Sequence, residues 1–137
     1  MVEEFRKNFQ ELAKRFSEFY TDGGMSLEID QYDGELSLEL IRGYFRKEGY
    51  SEVELSKLRC NEVSSKELYN ELEIFYKTPG IGYDDNEILF ILESLESIVT
   101  GRIKLVQSSG DLDCYALTVI ANIGTKQQML KFWWQYD

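Results

Sequence analysis

The sequence predicts an α+β fold in which an antiparallel sheet packs against helices. Apolar residues near the N-terminus recur at steps of three and four, which is the period of an amphipathic helix. Two later regions alternate apolar and polar residues, which is the period of a β-strand. Because predicted strands follow strands and predicted helices follow helices, this order favours an antiparallel sheet over alternating parallel units.

The length of the chain fits a single domain, 1–137. Its 137 residues are close to the commonest domain size, and hydrophobic residues make up 43% of them, so a core can form. The sequence contains no internal repeat and no low-complexity tract that would separate a second domain.

The first predicted elements are an N-terminal helix and a β-hairpin. The helix covers about 2–20, and 22–24 (Asp-Gly-Gly) ends it. Its apolar stripe consists of Val2, Phe5, Phe9, Leu12, Phe16 and Phe19. The hairpin is predicted because residues 27–29 and 36–40 both alternate leucine or isoleucine with polar residues, with Asp33-Gly34 as the turn between them.

The middle of the chain predicts a pair of helices after an ambiguous segment. Within 44–60, the alternation of Val53 and Leu55 favours a third strand, although Ser51 to Glu54 also matches a helix capping box. A second capping box at 64–67 predicts a helix near 65–77. Acidic residues at 84–87 predict the start of another helix near 85–100, which Gly101 ends.

The C-terminal part predicts a three-stranded meander. Ile103 and Leu105 alternate with basic residues, and 108–111 is predicted to be a turn. The segment 114–123 is apolar on both faces, which is typical of a covered central strand. Residues 124–126 then turn the chain into a last strand at about 127–136.

The charge balance limits the classes of partner. The chain has 25 acidic and 15 basic residues and a net charge of −10. Binding to nucleic acid or to an anionic membrane needs surplus positive charge, so neither is expected as a partner. No apolar signal segment follows Met1, and the longest uncharged run, 114–125, is too short to cross a bilayer. These features predict a cytoplasmic protein.

The residue types also limit the chemistry. The absence of histidine removes Ser-His-Asp and Cys-His catalysis and most zinc sites, and no phosphate-binding glycine motif is present. We therefore expect no enzyme activity, metal or cofactor, although a carboxylate-dependent enzyme stays open. Cys60 and Cys114 are expected to be reduced, with a disulfide as the alternative. Residues 30–35 lack the ligand spacing of a calcium loop and fit a hairpin turn.

Two acidic stretches without lysine or arginine are candidates for partner binding. The first is 22–39, with six acids, and the second is 78–101, with five. The candidate partner-binding residues of the second stretch are Asp84, Asp85, Glu87, Glu93 and Glu96. The first three suit a helix N-terminus, whereas Glu93 and Glu96 form a like-charged pair without a nearby counter-charge. The alternative is a solvated surface.

The last strand adds one aromatic candidate. A strand at 127–136 places Leu130 and Phe132 on one face and Trp133 on the other, beside Met129 and Lys131. Either a second layer covers Trp133, or it is exposed as an interface residue, a type enriched in binding hot spots.

The chain resembles small bacterial toxin-immunity proteins in its size, its acidity, its lack of a catalytic histidine and its lack of an export signal. This resemblance implies an inhibitor that neutralises a basic protein, such as a nuclease toxin, through acid pairs with lysine and arginine. An inhibitor that mimics nucleic acid would bind its partner through the same attraction between acids and basic residues. The alternative is a small-molecule-binding or regulatory module with an aromatic pocket.

Overall fold

The structure, a computed structural model, describes residues 2–19, 24–64, 66–68, 70, 93–110 and 114–135. Its elements are α1 (Val2–Phe19), β1 (Gly24–Tyr32), α2 (Leu38–Lys47), α3 (Glu52–Ser56), β2 (Asn61–Val63), β3 (Val99–Gly110), β4 (Cys114–Ile123) and β5 (Lys126–Gln135). Residues 66–68 and 93–98 are also helical. Among the described residues, no helix combines the length and the apolar composition that crossing a membrane requires.

The predicted α+β class is confirmed by a five-stranded antiparallel sheet with the strand order β1-β5-β4-β3-β2. The N-terminal helix, β4 and β5 lie where the sequence predicts them, and β3 completes the predicted meander with wider bounds than predicted. As predicted, β4 is the central strand. Gly124, with a φ of +66°, makes the tight turn between β4 and β5 that a residue with a Cβ would strain.

Helices cover both faces of this sheet, and each face has its own core. On the first face, which we call the α1 face, Phe5 and Phe9 of α1 pack against Leu130 and Phe132 of β5. On the opposite face, which we call the α2 face, Ile41 and Phe45 of α2 belong to one cluster with Ile120 and Met129. The uninterrupted register of β4 with β5 keeps this alternation along both strands.

The predicted hairpin at 27–40 is wrong in its second half. Residues 38–47 form α2, and β1 pairs with β5 instead. The Ser37 hydroxyl caps α2 by accepting a hydrogen bond from the Leu40 amide at 3.2 Å. Ile41 and Phe45, four residues apart, are then fully buried, whereas Leu40 is 61% exposed. The apparent strand alternation was therefore the first turn of a helix.

The predicted third strand within 44–60 is also wrong. Its alternative, the capping box, forms and begins α3: the Glu54 amide donates to Ser51 Oγ at 3.2 Å, and the Ser51 amide donates to Glu54 Oε1 at 3.1 Å. Val53 is consequently 66% exposed, while Leu55 is buried. The capping box of Ser64 and Glu67 forms as predicted, and helical backbone follows it at 66–68.

The second helix of the central pair ends earlier than predicted. Helical backbone at 93–98 passes directly into β3, whose Val99 pairs with Ile123. Gly101 lies within β3 at a φ of +83°, next to an irregularity in the register. The turn predicted at 108–111 is wrong for residues 108–110. These residues continue β3, and Gly110 pairs with Tyr115. The parts of the two predicted helices at 71–77 and 85–92 lie outside the described part of the chain.

Candidate protein-binding surface

Trp133 is a large apolar side chain that the fold leaves exposed, at 38%. It lies on the α2 face of β5, and its cross-strand neighbours are Ser26 of β1 and Ala116 of β4. Both neighbours are small, so they provide little cover for the indole ring. The predicted division of β5 into two faces is confirmed, and the expectation that a second layer covers the whole α2 face is not met at Trp133.

The exposure of Trp133 follows from where α2 ends. Gly49, at a φ of +96°, closes the helix, and the Tyr50 amide donates to the Phe45 carbonyl at 3.1 Å. The rings of Tyr50 and Phe45 pack with their centroids 4.9 Å apart, which completes a Schellman-type helix end. The chain turns back at this end, and the contacts that residues at the end of α2 make with β5 are with Lys131, two positions before Trp133.

A cluster of charged and polar groups lies at this end of α2, around Lys131. Lys131 Nζ lies 3.5 Å from Glu48 Oε2 and 3.9 Å from Glu28 Oε2, and it also donates to the Tyr44 hydroxyl at 3.3 Å. Tyr44 in turn donates to Glu28 Oε1 at 3.0 Å. The ammonium also lies 4.8 Å from the centroid of the Tyr44 ring, within cation–π distance.

The cluster keeps the tyrosine hydroxyl protonated. Burial, the hydrogen bond to Glu28 and the charges of Asp30 and Glu28 together raise the pKa of Tyr44 well above its usual range. Burial and the same two carboxylates also raise the pKa of Tyr32. Both phenols are therefore hydrogen-bond donors at neutral pH and not bases.

The acids of this cluster outnumber its base. Among the described residues, Glu28 and Glu48 are two carboxylates that pair with the one ammonium of Lys131, and Asp30 is a third acid close enough to Tyr44 to raise its pKa. The Glu28 and Glu48 side chains are 57% and 42% exposed, so a partner can reach them. Residues Lys131 and Trp133 are two positions apart on one strand, about 7 Å. We call Trp133, Glu28, Lys131 and Glu48 the Trp133 surface.

The two predicted acidic residues that the structure describes, Glu93 and Glu96, lie elsewhere. Glu93 and Glu96 are exposed, and the buried Leu95 between them belongs to the core of the α1 face. Glu96 also borders a shallow pocket of about 230 Å³, which Arg102 lines as well. The positions of Asp84, Asp85 and Glu87 are outside the described residues.

The structure does not bring Glu96 and Trp133 together. The helical residues 93–98 lead into Val99, which pairs with Ile123 at one end of β4, whereas Trp133 pairs with Ala116 near the other end. Seven positions along a strand span about 23 Å, and the two residues also lie on opposite faces of the sheet. Of the predicted site residues, Glu96 and Trp133 therefore belong to two separate surfaces.

Sequence reasoning missed Glu28, Glu48 and Tyr44 as neighbours of Trp133. The available signal was the acidic stretch 22–39, whose Glu28 and Asp30 belong to β1. The pairing of β1 with β5 brings these acids to Lys131, and that pairing was hidden by the wrongly predicted hairpin.

The described residues offer no metal site. No group of three or more cysteine, aspartate or glutamate side chains among them could hold an ion. Cys60 is a free thiol, as expected, and burial raises its pKa, so it stays protonated at neutral pH.

Comparison with known proteins adds no assignment. No protein-family model and no curated protein matches this chain.

Proposed function

We propose that the protein is an inhibitor that binds and neutralises a basic protein, such as a bacterial nuclease toxin, in the cytoplasm. The observation that carries this proposal is the exposure of Trp133 two positions along β5 from Lys131, which pairs with Glu28 and Glu48. An exposed tryptophan next to reachable carboxylates fits the usual composition of a binding hot spot and its charged rim.

The two parts of this surface have different roles in the proposed mechanism. The indole ring of Trp133 supplies apolar area that a partner buries, which slows dissociation. The carboxylates of Glu28 and Glu48, within a chain of net charge −10, attract lysine and arginine and speed association. The inhibitor then acts by covering the partner's active site or a surface beside it.

The acids at 84–96 have a supporting role in this proposal. Because Glu96 is on the other face of the sheet from Trp133, a small toxin domain bound to Trp133 does not also contact Glu96 directly. We therefore assign Glu93 and Glu96 to long-range attraction of the partner, and Asp84, Asp85 and Glu87 remain proposed partner-binding residues.

The first test is capture of a partner by the immobilised protein from a lysate of the organism that encodes it. We expect a basic protein to bind the native chain, to bind less at high salt, and to be lost from the Trp133→Ala variant. The activity of the captured protein, such as nucleic-acid cleavage, should fall when the native chain is added. Equal capture by both baits, or a captured protein whose activity is unchanged, would count against the proposal.

A matched pair of charge variants separates the two acidic surfaces. Glu28→Gln with Glu48→Gln, and Glu93→Gln with Glu96→Gln, each remove two negative charges. With the captured partner, we expect the first pair to lower affinity by slowing association and by speeding dissociation. The second pair should slow association only, and only at low salt. Equal effects of both pairs on dissociation would contradict the choice of the Trp133 surface.

The alternative, a small-molecule module with an aromatic pocket, has less support. The 230 Å³ pocket among the described residues is lined by Val63, Ser64, Glu96, Val99, Gly101, Arg102 and Ile103, none of them aromatic. Phe5, Phe9, Phe45 and Phe132 pack in the two cores instead.

A further inference from the structure

The outer edge of β1 has the properties of a strand-binding site. β1 ends the sheet order and is nine residues long, and none of the described residues pairs with its outer edge. The opposite edge strand, β2, has only three residues. Alternate residues of an edge strand direct their N–H and C=O groups outward, so about four residues of β1 present unpaired backbone groups.

The side chains of β1 differ on its two faces. Leu27 and Ile29 lie on the α1 face, where they pack half-buried against its core. Glu28 and Asp30 lie on the α2 face, next to Lys131 and Tyr44. A strand added beside β1 would therefore place every second side chain against apolar groups and the others against carboxylates.

This pattern disfavours a second copy of the chain as the added strand. Antiparallel pairing of two β1 strands centred on residues 28, 29 or 30 places Glu28 or Asp30 opposite an acid of the other copy. Like charges directly opposite each other destabilise a strand pair. The same acids attract a strand that carries lysine or arginine at those positions.

We propose that β1 accepts an extended segment of a basic protein, in which lysine or arginine alternates with apolar residues, as a sixth strand of the sheet. This inference rests on the proposed function, because it gives the binding mode of the same basic partner. Trp133 lies opposite Ser26 of β1, so an added strand would be two strand spacings from β5, about 10 Å. One partner can therefore contact the β1 edge and Trp133 together.

A nine-residue peptide that alternates lysine with valine is the probe for this edge. Its controls are a peptide of the same composition with the lysines in one block, and an alternating peptide of glutamate and valine. We expect only the alternating lysine peptide to bind. Amide hydrogen exchange measured by NMR should then slow at every second residue of β1, because outward N–H groups gain partners.

Charge variants test whether the carboxylate of Glu28 contributes to binding of the lysine peptide. Glu28→Gln should weaken binding of the lysine peptide about two- to fivefold, and Glu28→Lys should weaken it about tenfold or more. Glu62→Lys, the same charge reversal at an exposed residue of β2 on the opposite edge of the sheet, should leave peptide binding close to that of the native chain. If Glu28→Lys fails to fold, Glu28→Gln still decides the result.

The outcomes distinguish this inference from the proposed function. Failure of the alternating peptide to bind, or binding without protection of β1, overturns strand addition. So does a native dimer whose β1 amides are already protected. If a basic protein is still captured by the native chain and lost on Trp133→Ala, the proposed function stands without the strand. If the native chain captures no basic protein and the alternating peptide does not bind, both the inference and the proposed function are overturned.

Discussion

The two faces of the sheet are built from alternate residues of the same strands, yet they differ in composition and cover. On the α1 face, Leu130 and Phe132 of β5 are buried among apolar side chains of α1, β3 and β4. On the α2 face, the intervening residues of β5 are Lys131, within a cluster of acids, and the exposed Trp133. Each face also buries one glutamine of β5, Gln127 on the α2 face and Gln128 on the α1 face.

This difference separates stability from recognition within one strand. A fully covered apolar face contributes free energy of folding, because each buried side chain leaves water and packs closely. The part of the α2 face around Lys131 and Trp133, which lies beyond its own apolar core, is only partly covered and contributes less, and its groups remain available to a partner. The comparison predicts that neighbouring residues of β5 respond very differently to the same substitution.

The largest expected effect is at Phe132. Its ring contacts those of Phe5 and Phe9, with centroid distances of 6.4 and 5.6 Å, and its exposure is 4%. Phe132→Ala should lower the free energy of unfolding by about 3–5 kcal/mol, because it leaves a cavity in the core of the α1 face. Trp133→Ala should lower it by less than about 1 kcal/mol, since the ring is already partly solvated.

Urea unfolding of the two variants measures this difference. The comparison requires that the free energy of unfolding of both variants depends on urea concentration as steeply as that of the native protein. A loss of stability at Trp133→Ala equal to that at Phe132→Ala would show that the α2 face is as well packed around Trp133 as the α1 face is around Phe132.

The next effect concerns the polar contact that ties the α2 face to the loop before α2. The Gln127 side-chain oxygen accepts a hydrogen bond from the buried Leu36 amide. Gln127→Ala should lower the free energy of unfolding by about 1–3 kcal/mol, because it leaves a buried donor without a partner. Asn122→Ala is the control. It removes the hydrogen bond that Gln127 Nε2 donates to Asn122 Oδ1 at 3.3 Å, and because Asn122 is exposed, we expect a smaller loss of stability. Similar losses for the two variants, measured by urea unfolding, would argue against the importance of the Leu36 contact.

A smaller effect is expected at the start of α2. Ser37→Ala removes the cap that accepts from the Leu40 amide, and should lower the free energy of unfolding by about 0.5–2 kcal/mol. Ser97→Ala is a matched control, because Ser97 is an exposed helical serine whose hydroxyl donates to the Ser94 carbonyl and caps no helix. Amide exchange should quicken in α2 for the first variant and not in α1. Equal exchange in α2 for native and Ser37→Ala proteins would contradict this role.

Much of the fold could be predicted from the sequence where local period and burial agree. The helix at 2–20 and the strands at 114–123 and 127–136 have such patterns. The hairpin was wrong because Leu36, Leu38 and Leu40 fit either a strand or the first turn of a helix. The deciding residues, Ile41 and Phe45, are buried by strands far away in the sequence. Their helical spacing therefore could not be recognised as a buried face without knowledge of the sheet.

The candidate site was predicted less completely, for a related reason. The strand period at the C-terminus placed Trp133 opposite to Phe132. The carboxylates of Glu28 and Glu48 reach Lys131 only through the pairing of β1 with β5 and the packing of α2 on β5. Such long-range contacts leave no local period in a sequence. The acidic stretch 22–39 was visible, but its neighbours were not.

The smallest expected effect is a dependence on alkaline pH that distinguishes the α2 face from the α1 face. The pKa of Tyr44 is raised in the folded protein, by burial first and by Glu28 and Asp30 next, above the value of about 10 that an unfolded tyrosine has. Below about pH 10 the phenol is protonated in both states, so its contribution to stability is fully present. As the pH rises further, the unfolded chain loses this proton while the folded chain keeps it, and stability falls.

Unfolding in urea at a series of alkaline pH values measures this contribution. The native protein should lose stability with rising pH more steeply than Tyr44→Phe, which has no phenol to titrate. Tyr32, whose pKa is also raised, is present in both proteins and cancels in the difference. Glu28→Gln should give an intermediate slope, because it removes the hydrogen-bonded carboxylate but not the burial that contributes most. Equal slopes for the native protein and Tyr44→Phe would show that the pKa of Tyr44 is not raised in the folded protein. That result would count against the acidic cluster around Lys131 and against the acidic character that we assign to the Trp133 surface.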